Sequence, residues 1–156
     1  MKHSSKIGFS FGATSGIVTT LGLIVGLSAS DASRTAIIGG VLTIAFTDAL
    51  SDAFGIHISE ESESTLSNRD VWIATVSTFI TKIIFALTFL VPIIFLSSTL
   101  ALIACIVWGI LVLTLINYII VPAHKRWQVI SQHLFIGMIV VIVGFIIGQY
   151  IRNVFV

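Results

Sequence analysis

Asp48 and Asp52 stand four residues apart inside a stretch that is otherwise apolar enough to cross a bilayer. A carboxylate at mid-membrane costs about 2.5–3.5 kcal/mol on insertion scales. Keeping two of them there implies a cation, a proton path or a buried basic partner. At about 100° per residue, Asp48, Ser51, Asp52, Gly55 and Ser59 share one face of a helix otherwise built mostly from Ile, Leu, Ala and Phe. Carboxylate and hydroxyl oxygens on such a stripe suit a hard or borderline divalent cation. The same carboxyl groups can hold protons when no ion is bound, so exchange of metal for protons is chemically reasonable.

A second reading of these aspartates is structural. Lys82 falls in the next apolar stretch, which runs in the opposite direction, so Asp48 and Lys82 should lie at similar depth and could form a buried ion pair. Thr75, Thr78 and Lys82 share a face of that helix. On this reading Lys82 neutralises one aspartate and the other lacks a partner.

The elements that must hold these residues follow from composition. The chain has 156 residues, is 56% hydrophobic and only 10% charged, and its mean hydropathy is +1.11. A soluble domain needs about 25% charged residues to cover its surface, so lipid is the solvent that fits. Spanning the hydrocarbon core takes about 20 helical residues. Stretches of that order occur at 9–28, 35–59, 71–95, 99–121 and 129–152. The expected fold is therefore all-α, a polytopic integral membrane protein with five transmembrane helices. The connections between the spans are too short to hold an extramembrane domain, which makes 1–156 a single transmembrane domain. Pro92 should kink the outer part of the third span, and Pro122 fits the end of the fourth.

Lys2, Lys6, Arg69, Lys125 and Arg126 fall on one side of this arrangement, and Arg34 and Arg152 on the other. The excess puts the N-terminus inside and the C-terminus outside. The first apolar run is longer than a signal-peptide core of about 7–15 residues, so it reads as a retained span. With no organellar targeting segment visible, a prokaryotic plasma membrane is the expected location.

Helices in lipid come together through small residues that let backbones approach. Gly8, Gly12 and Gly16 form two overlapping small-xxx-small steps, Gly22 and Gly26 a third, and Gly144 with Gly148 repeats the pattern in the last span. The first helix could pack this way within one subunit or against a second copy across a two-fold axis. Near the inner surface His57, Glu60, Glu61 and Glu63 could gather cations at an entry, or simply form a solvated charged loop; His57 lies on the opposite wheel face from Asp48. Cys105 and Met138 read as packing residues, Asn117 and Gln149 as interhelical hydrogen-bonders, and His133 as an interfacial side chain.

Several functional classes are disfavoured. No nucleophile–base pair, phosphate loop or metal-protease spacing is present, so neither an enzyme nor a resident cofactor is expected. A net charge of +1 without a basic, aromatic-interleaved patch gives no nucleic-acid signature. A single cysteine excludes an internal disulfide.

Two stretches carry a family resemblance. Residues 11–27, FGATSGIVTTLGLIVGL, resemble the first helix of vacuolar iron transporters and their prokaryotic relatives, which have an Asp-Gly-x-x-[Thr/Ser] element followed by small and aliphatic residues. Residues 45–63, AFTDALSDAFGIHISEESE, resemble the second helix of that family, roughly Ala-Asp-Gly-x-Ser-Met-x-x-Gly-Glu-Tyr-x-Ser. Asp48, Ser51, Gly55 and Ser59 match the second pattern, and Gly16 and Thr19 the first. Ser15 stands where the family has its first-helix aspartate, Asp52 where it has methionine, and Ile56-His57 where it has Glu-Tyr. The cytoplasmic helical domain that many members insert after the second span is missing. The resemblance implies a homodimer with the translocation path between subunits, exchanging Fe²⁺ or Mn²⁺ for protons. For such a transporter the ion and proton sites expected in this chain are Asp52 and Asp48, with Ser15, Ser51 and Ser59 as supporting oxygens. Replacing a thioether by a carboxylate would favour harder ions such as Mn²⁺. The alternatives are a carrier or channel for another cation, and a non-transporting membrane assembly protein with a structural Asp48–Lys82 pair.

Overall fold

The third span, expected as one helix over 71–95 with a kink at Pro92, begins at Asn68 and is broken at Phe89, and the break follows from Pro92. Proline cannot donate to the carbonyl of Thr88, four residues back, and its ring crowds the same turn. The helix stops at Thr88 and restarts for a short segment. The Thr88 hydroxyl donates to the Phe85 carbonyl at 2.6 Å and accepts the Trp108 indole N–H at 2.9 Å, which pins the break against the next helix.

The computed structural model describes residues 3–63 and 66–155. Its elements are α1 (His3–Ala29), α2 (Arg34–Glu61), α3 (Asn68–Thr88), α4 (Leu90–Phe95), α5 (Ser98–Ile120) and α6 (Arg126–Phe155). The fold is all-α among the described residues, and taking α3 with α4 as one span, five helices are long and apolar enough to cross a membrane. The helices outrun the apolar stretches at most ends because polar caps extend them into the boundary region. Ser33 caps α2 by accepting the Ala36 N–H at 3.2 Å. Ser67 caps α3 by accepting the Asp70 N–H at 3.3 Å and donating to the Asp70 carboxylate at 2.6 Å.

α1 is the central element, with Ala13, Ile17, Leu21, Ile24 and Val25 buried along it. α3 runs parallel to it at close range. A Cβ on Gly8 would stand 2.3 Å from the Ala74 carbonyl oxygen, and one on Gly12 would stand 2.5 Å from that of Thr78. No side chain fits at either place, so glycine every fourth residue sets the separation of the two helices. The second glycine pair of α1 does the same against α6. A Cβ on Gly148 would come within 2.3 Å of the Gly26 carbonyl oxygen, and one on Gly144 within 2.9 Å of that of Gly22. The small-residue stripe of α1 is thus filled from within the protomer, by α3 toward the amino-terminal end and by α6 toward the far end. Gly8, Gly12 and Gly16 are buried along this stripe, and Gly22 and Gly26 are half-buried.

α2 runs antiparallel to α1 and α3 and turns Val41, Ala45, Ala49 and Ala53 inward, all buried. The turn joining α1 to α2 holds Asp31 in the left-handed region (φ 58°), and Arg152 of α6 meets its carboxylate at 2.9 Å. Arg34 donates to the Leu96 carbonyl at 2.7 Å across the same end. Cys105 is buried as expected, whereas Met138 is more than half exposed on α6. α6 is the least enclosed helix, with only Ile130 and Gly148 buried along it.

Candidate functional site

Gly16 makes the site possible. A Cβ there would stand 2.9 Å from the Lys82 carbonyl oxygen and 3.2 Å from its Cα. With no side chain in the way, α1 approaches α3 closely enough for the neighbouring Ser15 to meet the Lys82 ammonium. The Lys82 Nζ donates to Ser15 Oγ at 2.9 Å, and Ser15 Oγ donates to Asp52 Oδ2 at 2.6 Å. The same Nζ pairs with Asp48 Oδ2 at 2.5 Å and with Asp52 Oδ2. An ammonium has three donors, and here each has an acceptor.

The structural reading of the sequence paired Lys82 with Asp48 and left Asp52 without a partner; the Asp48–Lys82 pair is present, and the same ammonium also bridges to Asp52. Residues four apart on a helix have their Cβ atoms about 5–6 Å apart, so a single cation between their oxygens can serve both. Burial is uneven. The Lys82 side chain is 2% exposed, whereas those of Asp48 and Asp52 are 34% and 21% exposed. The cation is enclosed between α1, α2 and α3, and the anions open outward on α2.

The other predicted oxygens are placed differently. Ser15 belongs to the cluster, but Ser51 and Ser59 are exposed on the adjoining stripe of α2, outside its hydrogen bonds. That stripe reads Gly39, Thr43, Thr47, Ser51, Gly55 and Ser59, all exposed. Nothing lies within 4 Å of a Cβ built on Gly39 or Gly55. Thr43 and Thr47 turn their hydroxyls back to the carbonyls of Gly39 and Thr43, at 2.8 Å each. Small and weakly polar residues therefore flank the open side of the carboxylates along much of α2.

Toward the amino-terminal end, His57 Nδ1 meets Thr75 Oγ1 at 2.9 Å, and its ring packs edge-on against Trp72. The Thr75 hydroxyl donates to the Val71 carbonyl, so the imidazole N–H is the donor to Thr75 Oγ1. His57, on the other side of the wheel from Asp48, still faces α3. Glu60 is buried, with one carboxylate oxygen unpartnered among the described residues, while Glu61 and Glu63 are exposed. These four residues do not converge with the aspartate cluster. Among the described residues, no group of three or more His, Cys, Asp or Glu side chains comes together as a metal site within one protomer.

Sequence reasoning missed the packing of Trp72 against His57, whereas Asn117 is the interhelical hydrogen-bonder it was expected to be. Asn117 Nδ2 donates to the Leu113 carbonyl at 2.7 Å, which turns Oδ1 toward His133 Nδ1, also at 2.7 Å, and ties α5 to α6. Gln149 makes no such link among the described residues. Comparison with known proteins gives no matching family model, curated protein or solved structure.

Proposed function

We propose that the chain carries divalent metal cations, Fe²⁺ or Mn²⁺, across a prokaryotic plasma membrane in exchange for protons, working as a homodimer with its N-terminus inside. The observation that carries this reading is the half-open pair of carboxyl groups Asp48 and Asp52 held on a helix long and apolar enough to cross a membrane. Two carboxylates bridged by one tethered ammonium already form a site for positive charge. A mobile divalent cation binding there would take the place of the Lys82 Nζ between the same oxygens, with Ser15 as a further donor. The carboxyl groups would carry protons on the return leg.

The exposure of the carboxylates supports a second copy. A third of the Asp48 side chain is uncovered at a depth where lipid contact is costly. The stripe beside it is made of residues small enough for another helix to approach closely. Two protomers meeting along α2 would cover these carboxylates and place four of them around one path. The resemblance of residues 11–27 and 45–63 to vacuolar iron transporters points to the same ions and the same arrangement.

A specific observation favours a second reading, a non-transporting assembly protein. All three ammonium donors of Lys82 are taken within the protomer, as they would be in a permanent brace. Flux of Mn²⁺ or Fe²⁺ into proteoliposomes separates the two. The transport reading expects influx well above protein-free vesicles and dependent on a pH gradient. Influx no greater than in protein-free vesicles would leave the brace as the function of the cluster.

A further inference from the structure

α6 is fastened to α1 where Gly144 and Gly148 meet Gly22 and Gly26, but toward the amino-terminal end the contact loosens. A Cβ on Gly137 would find its nearest neighbour, a Leu113 methyl, only at 3.7 Å. The helices leave a groove of about 580 Å³ between α1, α5 and α6. Its walls are apolar, including Ile7, Phe11 and Ile120, and its polar lining includes His3, Lys6 and the Asn117–His133 pair. No carboxylate lines it among the described residues. The acidic groups at this end, Glu60, Glu61, Glu63 and Asp70, lie on α2, α3 and their connection, away from the groove. At the next level along α1 and α5 lies a second hollow of about 540 Å³, walled almost wholly by apolar side chains such as Ile17, Leu21 and Leu134.

The segment leading into α6, one turn before the lining residue Val129 and outside the groove's own lining, carries further basic charge. Lys125 is exposed, and the Arg126 guanidinium lies 4.0 Å over the Tyr118 ring, with its Nε buried and unpartnered among the described residues. Trp127 packs edge-on near Tyr118 and is largely exposed. Tyrosine and tryptophan of this kind sit at the headgroup level of a bilayer. Basic pockets between transmembrane helices at that level take anionic headgroups.

We infer that this groove is a binding site for one anionic phospholipid per protomer. Its phosphate is held by Lys6 and the Lys125–Arg126 segment, and an acyl chain lies along the Ile7, Phe11 and Ile120 wall toward the second hollow. A zwitterionic lipid would fill the apolar part equally well but would bring a positive choline to a cationic mouth. The inference is independent of metal transport.

The test is native mass spectrometry of purified protein equilibrated with equal phosphatidylglycerol and phosphatidylcholine. One phosphatidylglycerol should be retained per protomer, in preference to phosphatidylcholine. Lys6→Gln should weaken that retention about fivefold, the effect of about 1 kcal/mol per basic residue near a membrane surface. Lys6 is exposed, so the fold should survive the change. Arg152→Gln, at the far end, should leave retention unchanged, and Ile120→Trp, which fills the wall, should reduce it. Equal retention of both lipids, an equal loss in Arg152→Gln, or full competition by glycerol phosphate lacking acyl chains would each overturn the inference. So would a second protein copy protecting the groove.

Discussion

Gly16 lies directly against Lys82: a methyl group on its Cα would stand 2.9 Å from the Lys82 carbonyl oxygen and 3.3 Å from its Cγ. The backbone of α1 therefore sets the position of the ammonium that serves both carboxylates. Gly16→Ala should force α1 and α3 apart and lower stability by about 1–3 kcal/mol, the range for overpacked sites. Gly12→Ala, whose Cβ would come within 2.5 Å of the Thr78 carbonyl oxygen, should cost at least as much. Gly55→Ala, with open space around it, should leave the melting temperature of the protomer in detergent unchanged. A melting series in one detergent checks all three.

Lys82→Met should be far more damaging than its size suggests. Removing one partner of a buried charge group typically costs about 3–5 kcal/mol, because the remaining charges stay desolvated. The partial exposure of Asp48 and Asp52 puts the expected loss at the low end. Adding Asp48→Asn and Asp52→Asn to Lys82→Met should recover most of it, since the stranded charges then disappear. A triple variant no more stable than Lys82→Met would show that the ammonium acts through packing and not through charge. The swap of Asp48→Lys with Lys82→Asp addresses function: full preservation of stability and cellular phenotype would favour the brace over the carrier.

The open stripe of α2 makes a prediction of its own. Ser51→Cys should form an intermolecular disulfide under mild oxidation in membranes, because the stripe is where the second copy is expected to lie. Cys105 is buried and should not compete. Ile146→Cys, on the exposed side of α6, is the control and should remain monomeric. Equal cross-linking at both positions would mean random collision.

The helical architecture was largely legible from residue types. Long apolar runs dictate helices in lipid, since every backbone group must be paired within the segment, and Pro92 announced the break between α3 and α4. Helix ends were less legible, because hydropathy marks the bilayer core while Ser33 and Ser67 set the actual starts of α2 and α3. At the site, matching depth along antiparallel spans was enough to pair Asp48 with Lys82. It could not show Asp52 and Ser15 joining them, because that depends on how closely α1 approaches α3 at Gly16. The partner of a glycine stripe is likewise a tertiary fact: Gly8 and Gly12 specify close approach without saying to what. Met138 read as core because its neighbours are apolar, but in a membrane protein an apolar neighbourhood also describes the surface facing lipid.

The carrier account stands most directly on Asp52, which joins Lys82 and Ser15 and lies on the partly open side of the cluster. The decisive measurement is Mn²⁺ influx into proteoliposomes by wild type and by Asp52→Asn, at matched protein incorporation and matched melting temperature. The predicted result is strong pH-gradient-driven influx in wild type and at least a tenfold loss in Asp52→Asn. Equal influx in the two proteins would contradict the assignment of the cation path to this cluster.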